Sequence, residues 1–406
     1  MKKVFLFSTF LAIVFSGLAQ QNRRAQLSGK VTDAKTGQSL PNASILLVDT
    51  KVGTIADSAG TYLLRNVPAG HTLIEISYAG YRTVVDHLDI IGTMQKDFAL
   101  TVSVVENEGV TVTGVGSATS IRKAPIPITR VSKEELLLTP STNIIDALSR
   151  QPGISQLTTG PAISKPIIRG LGYNRLVVIN DGVRQEGQQW GDEHGIEIDE
   201  NSVSRIEILK GPASLIYGSD ALGGVVNIIT TNPVAINTVK ANILSSYGTN
   251  NKQRSLFANV GGNQNGFNWN VWGDYKAAAD YKNKYDGRVW NSKFNEKNFG
   301  GYAGYNGAWG YSHFIVSRFN QKVGLIEGAR DAGGSFVRDL PGGVVRVPKT
   351  SEFNSIDPQV PYQHVTHTKY ISDNSFRLGT GRLSLNIALQ RNERREFGNP
   401  DDDNEE

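Results

Sequence analysis

"IEILKGPASLIYGSDALGGVVNIIT", Ile206 to Thr230, sets two apolar strand-like runs around a stretch in which four glycines fall within fourteen residues, Gly211 to Gly224. A phosphate loop, a ligand turn and a tight corner would each draw on glycine, which alone takes positive φ freely. The spacing matches neither G-x-x-x-x-G-K-[ST] nor G-x-G-x-x-G. What remains is strand, corner, strand. Lys210-Gly211-Pro212 stops the first strand, and Tyr217-Gly218 with Gly223-Gly224 turns the chain back.

The segments before it are mixed α/β. Ser132 and Glu135 fit a Ser-x-x-Glu capping box that opens a short helix. Ser141 or Thr142 is placed to cap a second helix, with Ile145 and Leu148 facing inward and Pro152-Gly153 ending it. "NRLVVINDGVRQ" predicts a buried strand, Leu176 to Ile179, entering an Asn-Asp-Gly turn.

After Thr238 the pattern changes. "GFNWNVWGDY" puts Phe267, Trp269 and Val271 on one face, with Asn268 and Asn270 on the other. "RLSLNIALQR" sets Leu383, Leu385, Ile387 and Leu389 opposite Ser384, Asn386 and Gln390. Tyrosines and tryptophans recur near the strand ends, and long Gly/Asn/Asp loops intervene. This dyad repeat is that of a transmembrane β-barrel, apolar outside and polar inside.

The N-terminal end has two further parts. Lys2 and Lys3 precede the apolar run Val4 to Phe15 and the small residues Gly17-Leu18-Ala19, so 1–19 reads as a secretory signal peptide. Residues 26–100 alternate short apolar runs with Asp, Gly, Pro and Asn turns, which predicts a small β-sandwich. The 406-residue chain has no cysteine, so this exported protein folds without disulfides. Without Lys2 and Lys3, 40 basic residues face 38 acidic ones, a balance that does not point to nucleic acid. No catalytic motif stands out: there is no Cys nucleophile and no G-x-S-x-G elbow. An enzyme is therefore not expected, nor a resident cofactor.

"NIIDALSRQPGI", "PIIRGLGYNRLVVINDGVR" and "SVSRIEILKGPASLIYGSDALGGVVNIIT" together resemble the plug of TonB-dependent outer-membrane receptors. "GKVTDAKTGQSLPNASI", "DSAGTYLLRNVPAG" and "YAGYRT" resemble a carboxypeptidase-regulatory-like, transthyretin-type domain, which is not catalytic despite its name. The resemblance implies a mainly β chain. It would hold a sandwich at 26–100, a TonB box and linker at 105–117, a plug at 118–232, and the start of a 22-stranded barrel at 238–406. The 169 residues from Thr238 supply about six strands. An open six-stranded sheet leaves edges that a bilayer does not tolerate, so the sequence reads as part of a longer receptor. Glu108-Gly109-Val110-Thr111-Val112-Thr113-Gly114, an ordinary connector on pattern alone, becomes the TonB box, able to add as a strand to a partner's sheet.

The implied function is uptake of a scarce nutrient across the outer membrane, driven by TonB with ExbB and ExbD, the barrel lying in lipid and the sandwich in the periplasm. Ferric siderophore is the default cargo. A zinc, copper or cobalamin receptor is the alternative, and a non-transporting sensor or adhesin a further one. "RQEGQQWGDEHGIEIDE" is the ligand candidate, through Glu186, Gln189, Trp190, Asp192, Glu193 and His194. Its carboxylates and imidazole suit a borderline metal, with His194, Asp192 and Glu193 as candidate ligands. The competing reading is an acidic loop that is solvated or paired with basic residues of the barrel wall. His364 and His367 would point to opposite faces of a strand, or in an external loop could join a metal site; a plain polar loop is the reading favoured on pattern. Arg205 and Lys210 are expected to dock the plug on carboxylates of the wall.

Overall fold

The computed structural model describes residues 24–78, 81–102, 110–111, 119–120, 128–138, 141–230, 234–379 and 381–398, with backbone alone at 24, 110–111, 119–120, 212–213 and 215. The predicted signal peptide and all of the predicted TonB box except Val110 and Thr111 lie outside them.

The sandwich is built from β1 (Arg24–Asp33), β2 (Ser44–Leu47), β3 (Val52–Ile55), β4 (Thr61–Pro68), β5 (Gly70–Ser77), β6 (Val84–Ile90), β7 (Thr93–Gln95) and β8 (Phe98–Leu100). One sheet runs β4-β1-β7 with β8 also on β1, and the other β3-β2-β5-β6. Alternate residues point inward, and Leu27, Val31, Ile45, Leu47, Tyr62, Leu64, Ile74 and Ile76 form the core between the sheets. Two short strands follow, β9 (Val110–Thr111) and β10 (Thr119–Ser120), paired with each other.

The plug contains β11 (Ile128–Ser132), α1 (Lys133–Leu137), α2 (Ile144–Leu148), β12 (Ile154–Gly160), β13 (Ile163–Ile168), β14 (Leu176–Asn180), β15 (Val183–Arg184), β16 (Arg205–Leu209) and β17 (Gly224–Ile229). The capping box on α1 forms: Glu135 N donates to Ser132 Oγ at 3.3 Å, and Ser132 N to Glu135 Oε2 at 2.7 Å. On α2 the cap is neither Ser141 nor Thr142 but Asn143. Its amide oxygen accepts from both Ile145 N and Asp146 N at 3.0 Å, and being next to the helix it reaches two free donors at once. Ile145 and Leu148 are buried as expected.

The plug sheet runs β11-β16-β17-β14-β15. β17 is buried along its whole length between β16 and β14, which explains an apolar run interrupted only by Asn227. Asp181 and Gly182 turn β14 into β15 with φ of +49° and +81°. At the opening corner Gly224 has φ +144°, and a Cβ there would meet Leu209 O at 2.5 Å. Gly223 leaves as little room: a Cβ would lie 2.8 Å from Leu171 Cβ and 2.8 Å from Leu176 Cδ2.

From Thr238 the chain forms one antiparallel sheet of β18 (Thr238–Gly248), β19 (Gln253–Gln264), β20 (Phe267–Ala278), β23 (Phe294–Gly307), β24 (Gly310–Gly324), β27 (Tyr362–Leu378) and β28 (Gly381–Phe397). The small ribbons β21 (Lys282–Asn283) with β22 (Gly287–Arg288), and β25 (Arg338–Leu340) with β26 (Val344–Arg346), lie in the connections, beside the helical turn α3 (Thr350–Phe353). That is seven wall strands, not six. Tight turns such as Asn265-Gly266 alternate with the long connections 279–293 and 325–361, so chain is used less evenly than an average repeat assumes. Short turns face the periplasm in such barrels and long loops face outward.

Val239, Ile243, Leu256, Phe267, Val271, Phe299, Phe314, Tyr370, Leu383, Leu385, Ile387 and Leu389 are exposed on the outer face. That apolar band suits hydrocarbon, where it costs nothing. The inner face instead buries Asp274, Lys276, Glu296, Asn298, Gln321, His367 and Lys369 against the plug. The sheet is open, with β18 and β28 each paired on one side. No helix among the described residues is long and apolar enough to cross a membrane.

Candidate ligand-binding site and plug interface

The acidic segment predicted to bind ligand leaves β15 and returns to the plug sheet at β16. Its ends are buried at Gln185 and Glu197, while its apex is open, with Trp190 68% exposed. Gly187, at φ +115°, bends the chain at its start. Buried Lys165 of β13 donates to Trp190 O at 2.9 Å and also to Gly191 O. Thr159 Oγ1, at the β12–β13 tip, donates to Asp192 O at 3.3 Å. The two plug loops therefore form one surface. An open cavity of about 460 Å³ adjoins it, lined by Thr158, Thr159, Gly160 and Pro161 of the tip with Tyr281 and Ile326 of the long connections.

The six predicted ligand residues do not act as one set. Glu186 pairs with Arg184 Nε at 2.8 Å and accepts from Gln189 Nε2 at 2.9 Å, so both shape the loop. The Trp190 indole is presented to solvent. Asp192 accepts the Tyr173 hydroxyl, which draws it away from His194. The metal-type group is instead Glu193, His194 and Glu396, whose ligand atoms lie within 4.8 Å of one another. His194 Nε2 is 3.7 Å from both carboxylates, while its Nδ1 lies 3.4 Å from Gly187 O. Such a second bond orients the imidazole. Glu396 lies on β28, and no local pattern could have joined it to His194.

The docking of the plug also differs from expectation. Arg205 Nε pairs with Glu207 Oε1 at 2.9 Å, because residues i and i+2 share a face of β16. Lys210 donates to Pro152 O at 2.5 Å. Among the described residues both pair within the plug, and neither reaches a carboxylate of the wall.

The wall is held by the returning half of the acidic segment. Glu197 Oε1 accepts from Arg394 Nη2 at 2.9 Å, and Oε2 from His367 Nδ1 at 2.7 Å and Asn392 Nδ2 at 2.5 Å. Lys369 Nζ donates to Gln185 Oε1 at 3.0 Å and to Asn180 Oδ1. A second cluster joins Glu200 Oε1 to Lys276 Nζ at 2.5 Å, with Glu296 at 3.5 Å. There Asn201 Nδ2 donates to Asp274 Oδ1 at 3.3 Å, and Asn298 Nδ2 to Asp199 Oδ2 at 3.2 Å. Burial, and then the Asp274 carboxylate, push Asp199 up to about 8. His367 lies on strand β27, not in a loop, and its lumen-facing position follows the strand alternation.

A seven-stranded wall holding a polar-faced plug narrows the possibilities, and the plug sequence decides between them. Residues 120–225 match the TonB-dependent receptor plug domain. The chain carries the plug domain of the TonB-dependent receptors. Residues 27–112 match the CarboxypepD_reg-like domain. This receptor is 38% identical over 131 residues to the iron-regulated outer membrane virulence protein of Vibrio cholerae, covering 30% of this chain and 20% of that one. It is 33% identical over 128 residues to the vitamin B12 transporter BtuB of Vibrio vulnificus, covering 31% and 21%. The chain thus spans about a fifth of these curated relatives. The hemophore receptor HasR of Serratia marcescens, solved with its hemophore HasA and heme, shares the fold. Its TM-score is 0.52 at 15% identity, over 68% of this chain and 39% of that one. The receptor is an outer-membrane protein, with its tight turns and sandwich at the periplasmic end.

Proposed function

We propose that this receptor imports a scarce nutrient across the outer membrane, with a ferric siderophore or other metal complex as cargo. The observation that carries the reading is the chemistry of the plug–wall contact. Glu197, Glu200, Asn201 and Gln185 meet Arg394, His367, Lys276, Asp274 and Lys369 through hydrogen bonds and ion pairs. Water can replace such partners when the plug shifts, whereas the apolar cores of the plug and sandwich would resist opening. A plug that opens at lower cost than its wall suits a pulled device.

Cargo would settle on the outer surface formed by the β12–β13 tip and the Trp190 loop. TonB, energised by ExbB and ExbD, would pair with residues 108–114 as an added strand and pull. In the full-length receptor, deleting Glu108 to Gly114 should abolish energised uptake and leave cargo binding intact. Uptake that survives the deletion would end this reading.

A second cargo reading rests on Glu193, His194 and Glu396. Two carboxylates and one imidazole suit zinc or copper better than a chelate that already fills its metal's coordination sphere. Competition between free Zn²⁺ and a ferric chelate for one site separates the two.

A further inference from the structure

The N-terminal sandwich meets the barrel at its periplasmic rim through a socket built around one lysine. Lys51 sits in the β2–β3 turn at φ +53°. Its Nζ is 3.2 Å from Asp373 Oδ2 on β27 and 3.9 Å from the ring centre of Tyr311 on β24. Its backbone oxygen accepts from Asn306 Nδ2 on β23 at 2.7 Å. Asn306 is itself held by His313 Nε2 at 2.5 Å, and His313 stacks on Tyr302. Three wall strands thus contribute a carboxylate, an aromatic face and an oriented amide to one ammonium-bearing turn. That combination fits a lysine cation on a rigid turn.

Further contacts surround it. Asp49 pairs with Arg382 of β28, and Ala69 O accepts from Arg377 Nη2 of β27 at 3.0 Å. The connector from plug to wall joins as well: Ile236 N donates to Gly53 O at 2.9 Å, and its side chain packs on the sandwich core.

We propose that the sandwich is a latch on the periplasmic mouth beneath the plug, keyed by Lys51 on Asp373 and Tyr311. A docked sandwich stands in the path by which TonB reaches the mouth, and a released one clears it. Because most of the interface is polar and keyed by a few charges, it can part with little apolar surface uncovered beyond the Ile236 contact. The docking stands on the contacts alone, and its link to TonB rests on the import reading.

These 406 residues hold no cysteine, so an introduced pair is the only one within them. Full-length receptor in outer membranes carries Asp49→Cys and Arg382→Cys, and a short bismaleimide reads their proximity. High yield is expected with Lys51 present. Lys51→Glu should lower it about ten-fold or more, the size expected for replacing attraction by repulsion in a part-buried charge pair. Adding Asp373→Lys should restore it, which loss of folding would not allow. Low yield in the Lys51 background, or a yield unchanged by Lys51→Glu, would overturn the latch. Failure of the import reading shows separately, as absent energised uptake in every variant while the cross-linking pattern persists.

Discussion

Glu197 of the plug lies 2.7 Å from His367 Nδ1 of the wall, 170 residues further along the chain. Both side chains are almost fully buried, and the same carboxylate also holds Arg394. The acidic segment therefore has two parts with two tasks: its apex faces outward and its returning half anchors the plug.

Glu197→Ala should loosen that anchor. It strands a buried imidazole and a guanidinium, and breaking such a pair costs about 3–5 kcal/mol. Hydrogen exchange should quicken across 185–201 while the sandwich keeps its protection. Unchanged exchange in that stretch would show that the network does not dock the plug.

Gly224→Ala should destabilise the plug by about 1–3 kcal/mol, from strain at positive φ and the contact with Leu209 O. Gly218→Ala shares the positive φ, but a Cβ there meets nothing within 4 Å, so its cost should be smaller. Plug melting of the two variants, followed by near-ultraviolet circular dichroism, tests the order. Equal losses would mean that strain alone matters at Gly224.

His194→Ala and Glu396→Gln should each weaken calorimetric binding of Zn²⁺ or Cu²⁺, whereas Asp192→Asn should leave it unchanged. Asp192 is engaged by Tyr173 and stands outside the group of three. An Asp192→Asn loss equal to the His194→Ala loss would restore the grouping read from sequence.

The connection from β24 to β27 should open in acid. Hydrogen bonds from Arg346 hold the Glu352 carboxyl down to about 2, with Lys349 N and Arg338 adding to them. A depressed folded value stabilises the charged form, so this support is complete above the ordinary value near 4.5 and fades as pH falls toward 2. Proteolysis of 338–353 by an acid-active protease should rise between pH 4.5 and 2.5. Glu352→Gln should already show the higher rate at pH 7, and a pH-independent wild-type rate would contradict the assignment.

The parts of this receptor were legible wherever local pattern carries the physics. Two-residue alternation marks the lipid face from Phe267 to Val271 and from Leu383 to Leu389, because a strand puts neighbouring side chains on opposite sides. Capping chemistry marked Ser132 and Glu135. On α2 the same rules missed by one or two residues, since Ser141, Thr142 and Asn143 are all competent caps and packing of Ile144 to Leu148 chose among them.

Pairing across the fold was not legible. Arg205 and Lys210 had the right charge to dock the plug, yet strand geometry set one over Glu207 and the other against Pro152 O. The residues that do dock it find His367, Lys369 and Arg394 only through the register of β27 and β28. The same register brings Glu396 to His194 and Asp373 to Lys51. Sequence alone determined the order of sandwich, plug and lipid-facing wall, because burial and backbone periodicity act over a few residues. Tertiary structure decided which charges meet, because an ion pair depends on distances that chain separation does not encode.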